Sequence, residues 1–409
     1  MKTPPHRIAV VALTLLLLAG AGVWWTLWSD VPKVVSTPSH AVATSELATR
    51  RAAPVMPLPD PLGSKKPDPA LVAAFEQCGK AMMEQVRKRS EELAGRQDAK
   101  SQLAYALTPN MYPQEWSDDI TVEEAGRLLA QQQATSQQAF ARARKLEPAN
   151  PDIAWLAMEQ CFDGQPCEEA QQALLTREPD NAAVWLKAMT WARFRGDDAA
   201  MEEAFWRAAS ARRYDTHRGS RMLALMEGYA DLPTPKVCDI PELQALARKR
   251  LTGGRPFDAG TLVEVMGMAQ EMATVFAGAN LQEFCKEAKG VKLPPDRQAG
   301  CTTIYSQMAG DGSLLERQVA MPQLIELTGD TPAGAEWRER YRQLRWMVEQ
   351  QRQLRTQMDL IDMMTNEVGA MEAAVRAAGR WPPPPNWLPV DERARSLIQI
   401  GRPPPPKAR

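Results

Sequence analysis

Leu146-Glu147-Pro148-Ala149-Asn150 and Arg177-Glu178-Pro179-Asp180-Asn181 decide the fold. The second stretch echoes the first 31 residues later, and Trp155 is echoed by Trp185 after 30. Gly164 and Gly196-Asp197 fall mid-way, where a helix-turn-helix unit would turn. A period of this length signals stacked helical hairpins, an α-solenoid, because one hairpin cannot bury its apolar face alone. The surrounding composition agrees. Ala, Leu, Met, Gln, Glu and Arg dominate the middle of the chain and favour helix. Strand-like alternation of Val, Ile and Thr is scarce. The expected fold class is therefore all-α.

Working outward, Asp68-Pro69 reads as N-cap and first helical residue. Leu71, Phe75, Cys78, Met82 and Val86 follow at helical spacing. A short helix precedes Pro109, and Thr121-Val122-Glu123-Glu124 is a capping box opening a helix to about Leu146. Beyond the repeat, Pro233, Pro235 and Pro241 interrupt a helical pattern. Gly253-Gly254 and Pro256 then mark a break and a possible sub-boundary near 253. Asp258 or Thr261 caps the next helix. Two more helices flank Pro294-Pro295, and another follows Gly312-Ser313. From Ala333 to Ala378 apolar residues recur at three- and four-residue steps, as one long helix, a bent one or two packed ones. After Gly379 come Trp381-Pro-Pro-Pro-Pro-Asn-Trp387 and Arg402-Pro-Pro-Pro-Pro-Lys407. Both runs favour polyproline II, so 380–409 reads as a Pro-rich tail.

The first 68 residues have another character. Ile8 to Trp28 is free of charge. As a helix it would be about 30 Å long and would match a bilayer core. Lys2 and Arg7 precede it and place residues 1–7 in the cytoplasm. Trp24, Trp25 and Trp28 gather at its far end, where an interfacial belt would sit. A cleaved signal peptide ending at Ala19-Gly20-Ala21 is the competing reading. The apolar run continues through three tryptophans beyond that point, which favours an uncleaved anchor over 8–28 in a bacterial inner membrane. Either reading exports the rest to the periplasm. Residues 29–68 are a Pro-rich linker that would span about 35 Å as a flexible coil.

Export bears on the cysteines. Six are present, at 78, 161, 167, 238, 285 and 301. Proximity suggests Cys161 with Cys167, across Phe-Asp-Gly-Gln-Pro, and Cys285 with Cys301, across Lys292-Leu293-Pro294-Pro295-Asp296. Cys78 with Cys238 is what remains. Buried free thiols are the alternative.

The 137–215 region resembles tetratricopeptide repeats. Trp185, Gly196, Phe205 and Ala208 stand at that family's spacing, and Pro179 sits where a preceding repeat would end. Phe140, Ala143 and Pro148 match the second half of an earlier unit. The unit between is short by three residues and lacks the family's large residue in its second helix. The resemblance implies a ligand-facing first helix, showing Leu186, Lys187, Thr190, Arg193 and Phe194. On that basis Lys187 and Arg193 would take a carboxylate such as a peptide C-terminus. The competing expectation is that these side chains pack on neighbouring helices or merely face solvent.

The chemistry of the remainder is sparse. Lysine plus arginine number 49 against 50 acidic residues, so no basic excess points to nucleic acid. Three histidines leave no His-rich metal site. His217 follows Tyr214-Asp215-Thr216 at a helix boundary and reads as a surface or capping residue. No Walker loop, HExxH or GxSxG is present, and no cofactor or catalytic residue is expected. Trp337 to Trp346 interleaves arginine with aromatics, but Glu336, Glu339 and Glu349 make it an ordinary solvated helix face. The expected function is protein binding, as a scaffold or assembly factor of the cell envelope rather than an enzyme. Two alternatives stand beside it. One is a membrane-tethered steric chaperone for a secreted enzyme. Lipase foldases share the anchor, linker and helical body, and Arg255-Pro256-Phe257-Asp258 loosely resembles their signature. The other is a hydrolase acting on cell-wall material through Glu or Asp.

Overall fold

A computed structural model describes residues 68–108, 121–159, 168–250, 256–273, 279–286, 292–354, 362 and 365–404. The proposed anchor at 8–28, the linker up to 67, and Cys161 and Cys167 lie outside the described residues. Among the described residues sixteen α-helices and one 3-10 turn account for the regular structure, and the chain is all-helical. None of these helices is long and apolar enough to cross a membrane.

In chain order the helices are α1 (Pro69–Gly95), α2 (Ala99–Leu107), α3 (Val122–Leu146), α4 (Pro151–Glu159), α5 (Glu168–Arg177), α6 (Ala182–Phe194), α7 (Asp198–Ser210) and α8 (Ser220–Tyr229). They continue as α9 (Pro241–Arg250), α10 (Ala259–Ala273), α11 (Ala279–Phe284), α12 (Pro295–Asp311), α13 (Leu314–Thr328), α14 (Pro332–Leu354), α15 (Glu367–Ala377) and α16 (Glu392–Ile400). The expected caps are in place. Asp68 Oδ1 accepts from the Ala70 N–H at 2.9 Å, and Asp258 Oδ1 from Thr261 at 2.7 Å. Thr121 Oγ1 accepts from Glu124 at 3.1 Å. Ser313 and Glu316 form a reciprocal capping box at the start of α13.

The chain divides into two compact units. Among the described residues one comprises 68–89, 121–129, 231–250 and 256–273; the other comprises 90–108, 130–159, 168–230, 279–286, 292–354, 362 and 365–404. In the first, Cys78, Met82 and Val86 on α1 are fully buried, as is Cys238. Cys78 is bonded to Cys238, the pair that sequence proximity left over. Phe75 stacks on Phe257 at 5.9 Å, and Gln244 holds the Phe257 backbone through both its amide groups. Phe257 and Asp258 thus have structural duties, as core ring and helix cap.

The second unit is built of helices packed on their chain neighbours. α4 packs on α5, α6 on α7, α12 on α13, α13 on α14, and α15 back on α14. The long pattern from 333 to 378 is therefore not one helix. α7 also packs on α12, so that the series continues across the intervening chain. α2 packs on α8 at close range. A Cβ on Gly228 would lie 2.5 Å from the Ala104 Cβ, so only glycine lets these two backbones approach this far. Gly228→Val should lower stability by about 2 kcal/mol through overpacking. Gly126→Ala, on α3 where a Cβ meets nothing within 4 Å, should raise it by about 1 kcal/mol. Urea denaturation of both variants measures the contrast.

The 380–409 segment departs from a plain Pro-rich tail. The Trp346 indole N–H donates to the Arg380 carbonyl at 2.8 Å, and the Trp387 ring meets Trp346 edge-on at 5.0 Å. Arg342 donates to the Pro384 carbonyl at 2.8 Å, and Pro383 and Pro389 are buried. The proline run is thus docked along α14. After it, Asp391 caps α16, whose Ala394 and Leu397 are buried where it packs on α13 and α14. A nine-residue helix between prolines carries too few periods to be read from sequence. The surface it packs on makes it stable.

Candidate functional site

The repeated Glu-Pro-x-Asn stretches turn out to be one piece of local structure used twice. In each, the glutamate ends a helix and the proline prevents its continuation. The asparagine caps the next helix. Asn150 Oδ1 accepts from the Asp152 N–H at 3.0 Å, and Asn181 Oδ1 from Ala183 at 3.2 Å. Each glutamate steadies its asparagine by accepting from the amide: Glu147 from Asn150 at 3.0 Å, Glu178 from Asn181 at 2.8 Å. The first copy is exposed, whereas Glu178 and Asn181 are buried.

What buries the second copy is the stretch from Ala211 to Gly219, between α7 and α8. Its Arg212 and Arg213 N–H groups donate to the Asp180 carbonyl at 3.0 and 3.1 Å. The Arg213 carbonyl accepts from Ala182 at 2.9 Å, and the Asn181 amide binds the Asp215 carbonyl at 2.8 Å. At its end stands His217. Its φ of 50° is the one left-handed value among the described non-glycine residues. Such a backbone costs of order 1 kcal/mol for a residue with a Cβ, so the surroundings must hold it.

They do so through charge. His217 Nδ1 lies 2.7 Å from Asp152 Oδ1, and Nε2 lies 2.9 Å from Glu178 Oε2. Ser220 Oγ donates to the same Asp152 oxygen at 2.8 Å, and Arg213 reaches Glu178 at 2.9 Å. The His217 side chain is only 4% exposed. Burial opposes a charged ring, but hydrogen bonds to Asp152 and Glu178 outweigh it, and the charges of Asp215 and Glu178 add to them. The ring is lifted from 6.5 to about 9. At neutral pH it is an imidazolium donating from both nitrogens. The same hydrogen bond holds Asp152 below the usual carboxylate range. Glu178 is also held low: its bonds to Asn181 and His217 overcome desolvation. His217 is therefore an interior tie between the starts and ends of three helices. A surface placement does not hold, and neither ring nitrogen is free to move a substrate proton. The legible signal was Asp215, whose Oδ1 accepts from the His217 N–H at 2.8 Å in a tight turn. The two distant carboxylates had no local signature.

The residues expected to face a ligand lie on α6. Lys187 is 3.8 Å from Glu159 and 5.6 Å from the centre of the Trp155 ring, and its side chain is 12% exposed. Glu159 also takes Arg221 at 2.9 Å, tying α4, α6 and α8 together. Thr190 Oγ1 donates to the Leu186 carbonyl at 3.0 Å and accepts from Asn280 Nδ2 at 3.0 Å. Arg193 pairs with Glu283. Lys187 and Arg193 thus do meet carboxylates, and both belong to this chain. Phe194 differs from the other three. It is 74% exposed, beside Trp191 at 6.1 Å, at the end of α6.

The neighbouring short helix α11 is fixed at its far end. Cys285 is bonded to Cys301 on α12, and Phe284 sits 5.0 Å from Phe205. The Arg297 guanidinium lies 4.2 Å from the Phe284 ring centre and 4.9 Å from that of Phe205, paired with Glu202 at 2.6 Å. Gly300 allows the contact, since a Cβ there would lie 2.9 Å from the Phe205 ring. Among the described residues no group of three or more His, Cys, Asp or Glu is placed to hold a metal ion.

No family model, curated protein or solved structure matches this chain.

Proposed function

We propose that this chain is a membrane-anchored, periplasm-facing helical-repeat protein that binds another protein as a scaffold or assembly factor of the cell envelope. The observation that carries the docking role is Phe194, a large apolar side chain three-quarters open to solvent beside Trp191, on a helix whose polar residues are otherwise engaged. Aromatic side chains of this kind supply much of the energy of protein interfaces. Two further features support the reading. The described part of the chain carries two disulfides, which persist in oxidising compartments such as the periplasm. The uncharged stretch 8–28 supplies the anchor. The similarity of 137–215 to tetratricopeptide repeats points the same way, as an analogy of fold.

Photocrosslinking in intact cells tests it. A photoreactive residue at position 194 of the full chain should capture a discrete envelope protein, whereas one at the exposed Glu203 on α7 should not. Identical crosslink patterns from the two positions, or none from 194, would reject Phe194 as a docking residue.

A further inference from the structure

We infer that α11 is an internal occupant of the α6 surface, and that the partner this surface fits is an amphipathic helix of the same pattern: an amide side chain, a carboxylate three residues later, and apolar residues after each. The inference rests on the docking role proposed for α6, and it names the ligand chemistry.

The template is on α11 itself. Asn280 donates to Thr190, and Glu283, one turn on, pairs with Arg193, one turn along α6. Three-residue spacing brings both polar groups to one face of a helix. Leu281 is fully buried, and Phe284 packs on Phe205. The six residues therefore present two polar contacts in register with Thr190 and Arg193 of α6, a buried leucine, and a phenylalanine packed on Phe205 of the adjoining α7. The pattern ends short of Phe194, which stays open. A longer helix laid in the same register would cover it.

The polar contacts that join the occupant to α6 are few. A helix of six residues lies far below the length that supports itself, so it persists through its contacts. The Arg193 and Glu283 side chains are 45% and 54% exposed, and an ion pair at such a site contributes little. The firm attachment is at the C-terminal end, where Cys285 is bonded to Cys301. Toward the N-terminal end Asn280 is bonded to Thr190 and Leu281 is buried. Competition by a helix in trans must exchange one hydrogen bond, one exposed ion pair and the apolar contacts of Leu281 and Phe284 for equivalent ones. The competing helix therefore carries the same leucine and phenylalanine, and the disulfide keeps the displaced segment close.

The test uses the full chain and a synthetic helical peptide carrying Asn-Leu-Gln-Glu-Phe, with binding read by fluorescence anisotropy. Glu283→Lys and the double variant Asn280→Ala/Glu283→Lys alter polar residues of α11 outside the buried core. Amide exchange at 281–284 should rise at least tenfold in the double variant, and the peptide should bind it at least fivefold more tightly than the parent. Adding Arg193→Ala should abolish that gain. Unchanged exchange would overturn the claim that these two contacts hold α11. Raised exchange with unchanged peptide affinity would overturn the claim that α11 occupies a ligand surface. Failure of the position-194 crosslink with a successful peptide competition would remove the envelope-docking role and leave the internal occupant standing.

Discussion

Replacing Cys78 and Cys238 together by serine should cost the folded chain about 5 kcal/mol, the largest loss expected from any pair of substitutions here. The bridge spans 160 residues of sequence. In the chain-entropy account, the stabilisation from a crosslink grows with the logarithm of the loop it closes in the unfolded chain. Cys285 with Cys301 closes a loop of only 16 residues, and its removal should cost about 3 kcal/mol. Both cysteines of the long bridge are fully buried, so serine hydroxyls there would add the cost of unpaired polar groups. Guanidinium denaturation of the two double-serine variants, each against the parent, gives the comparison. An equal or smaller loss for the long bridge would show that unfolded-chain entropy is not what it supplies.

The second large effect belongs to His217, and it depends on pH. The folded ring titrates at about 9, above its ordinary 6.5. A group whose folded value is raised contributes stability that is complete below its unfolded value and disappears as pH rises through the folded one. The contribution should therefore be whole near pH 6, about 3 kcal/mol, and should fade between about pH 7 and pH 10. Above that range the neutral ring keeps one proton for two carboxylates, so one of the bonds to Asp152 and Glu178 is lost. His217→Gln removes the charge at every pH. Urea titrations of parent and variant at pH 6, 8 and 10 should show a difference that shrinks as pH rises. A difference that stays constant would mean that packing against Trp155, whose ring centre lies 5.2 Å away, matters more than charge.

These two effects divide according to what a sequence can show. Helix class, the caps at Asp68, Thr121 and Asp258, and the repeated Glu-Pro-x-Asn turns were all legible, because each depends on residues within four of one another. Helical periodicity and capping are short-range physics. The pairing of Cys285 with Cys301 was within reach of proximity for the same reason. Cys78 with Cys238 was not, since nothing local brings residues so far apart to one place. Lys187 and Arg193 illustrate a subtler limit. That both would meet carboxylates was an expectation carried by the resemblance to tetratricopeptide repeats. That the carboxylates would be Glu159 and Glu283 of the same chain could not be read in advance. The α16 helix shows the converse: too short to announce itself by periodicity, it forms where α13 and α14 offer a surface for Ala394 and Leu397.

By itself, then, the sequence determined the all-helical class, the ends of several helices, and the one internal repeat. Tertiary structure alone decided the rest. It turned His217 from a boundary residue into a buried cation, because Asp152 and Glu178 converge on it from separate helices and together outweigh its desolvation. It laid the proline run 382–385 along α14, because Trp346 and Arg342 offer donors to carbonyls that proline leaves free. It buried Leu186, engaged Lys187, Thr190 and Arg193 internally, and left Phe194 outside. Which apolar surface remains uncovered is settled only once every other helix has found its place.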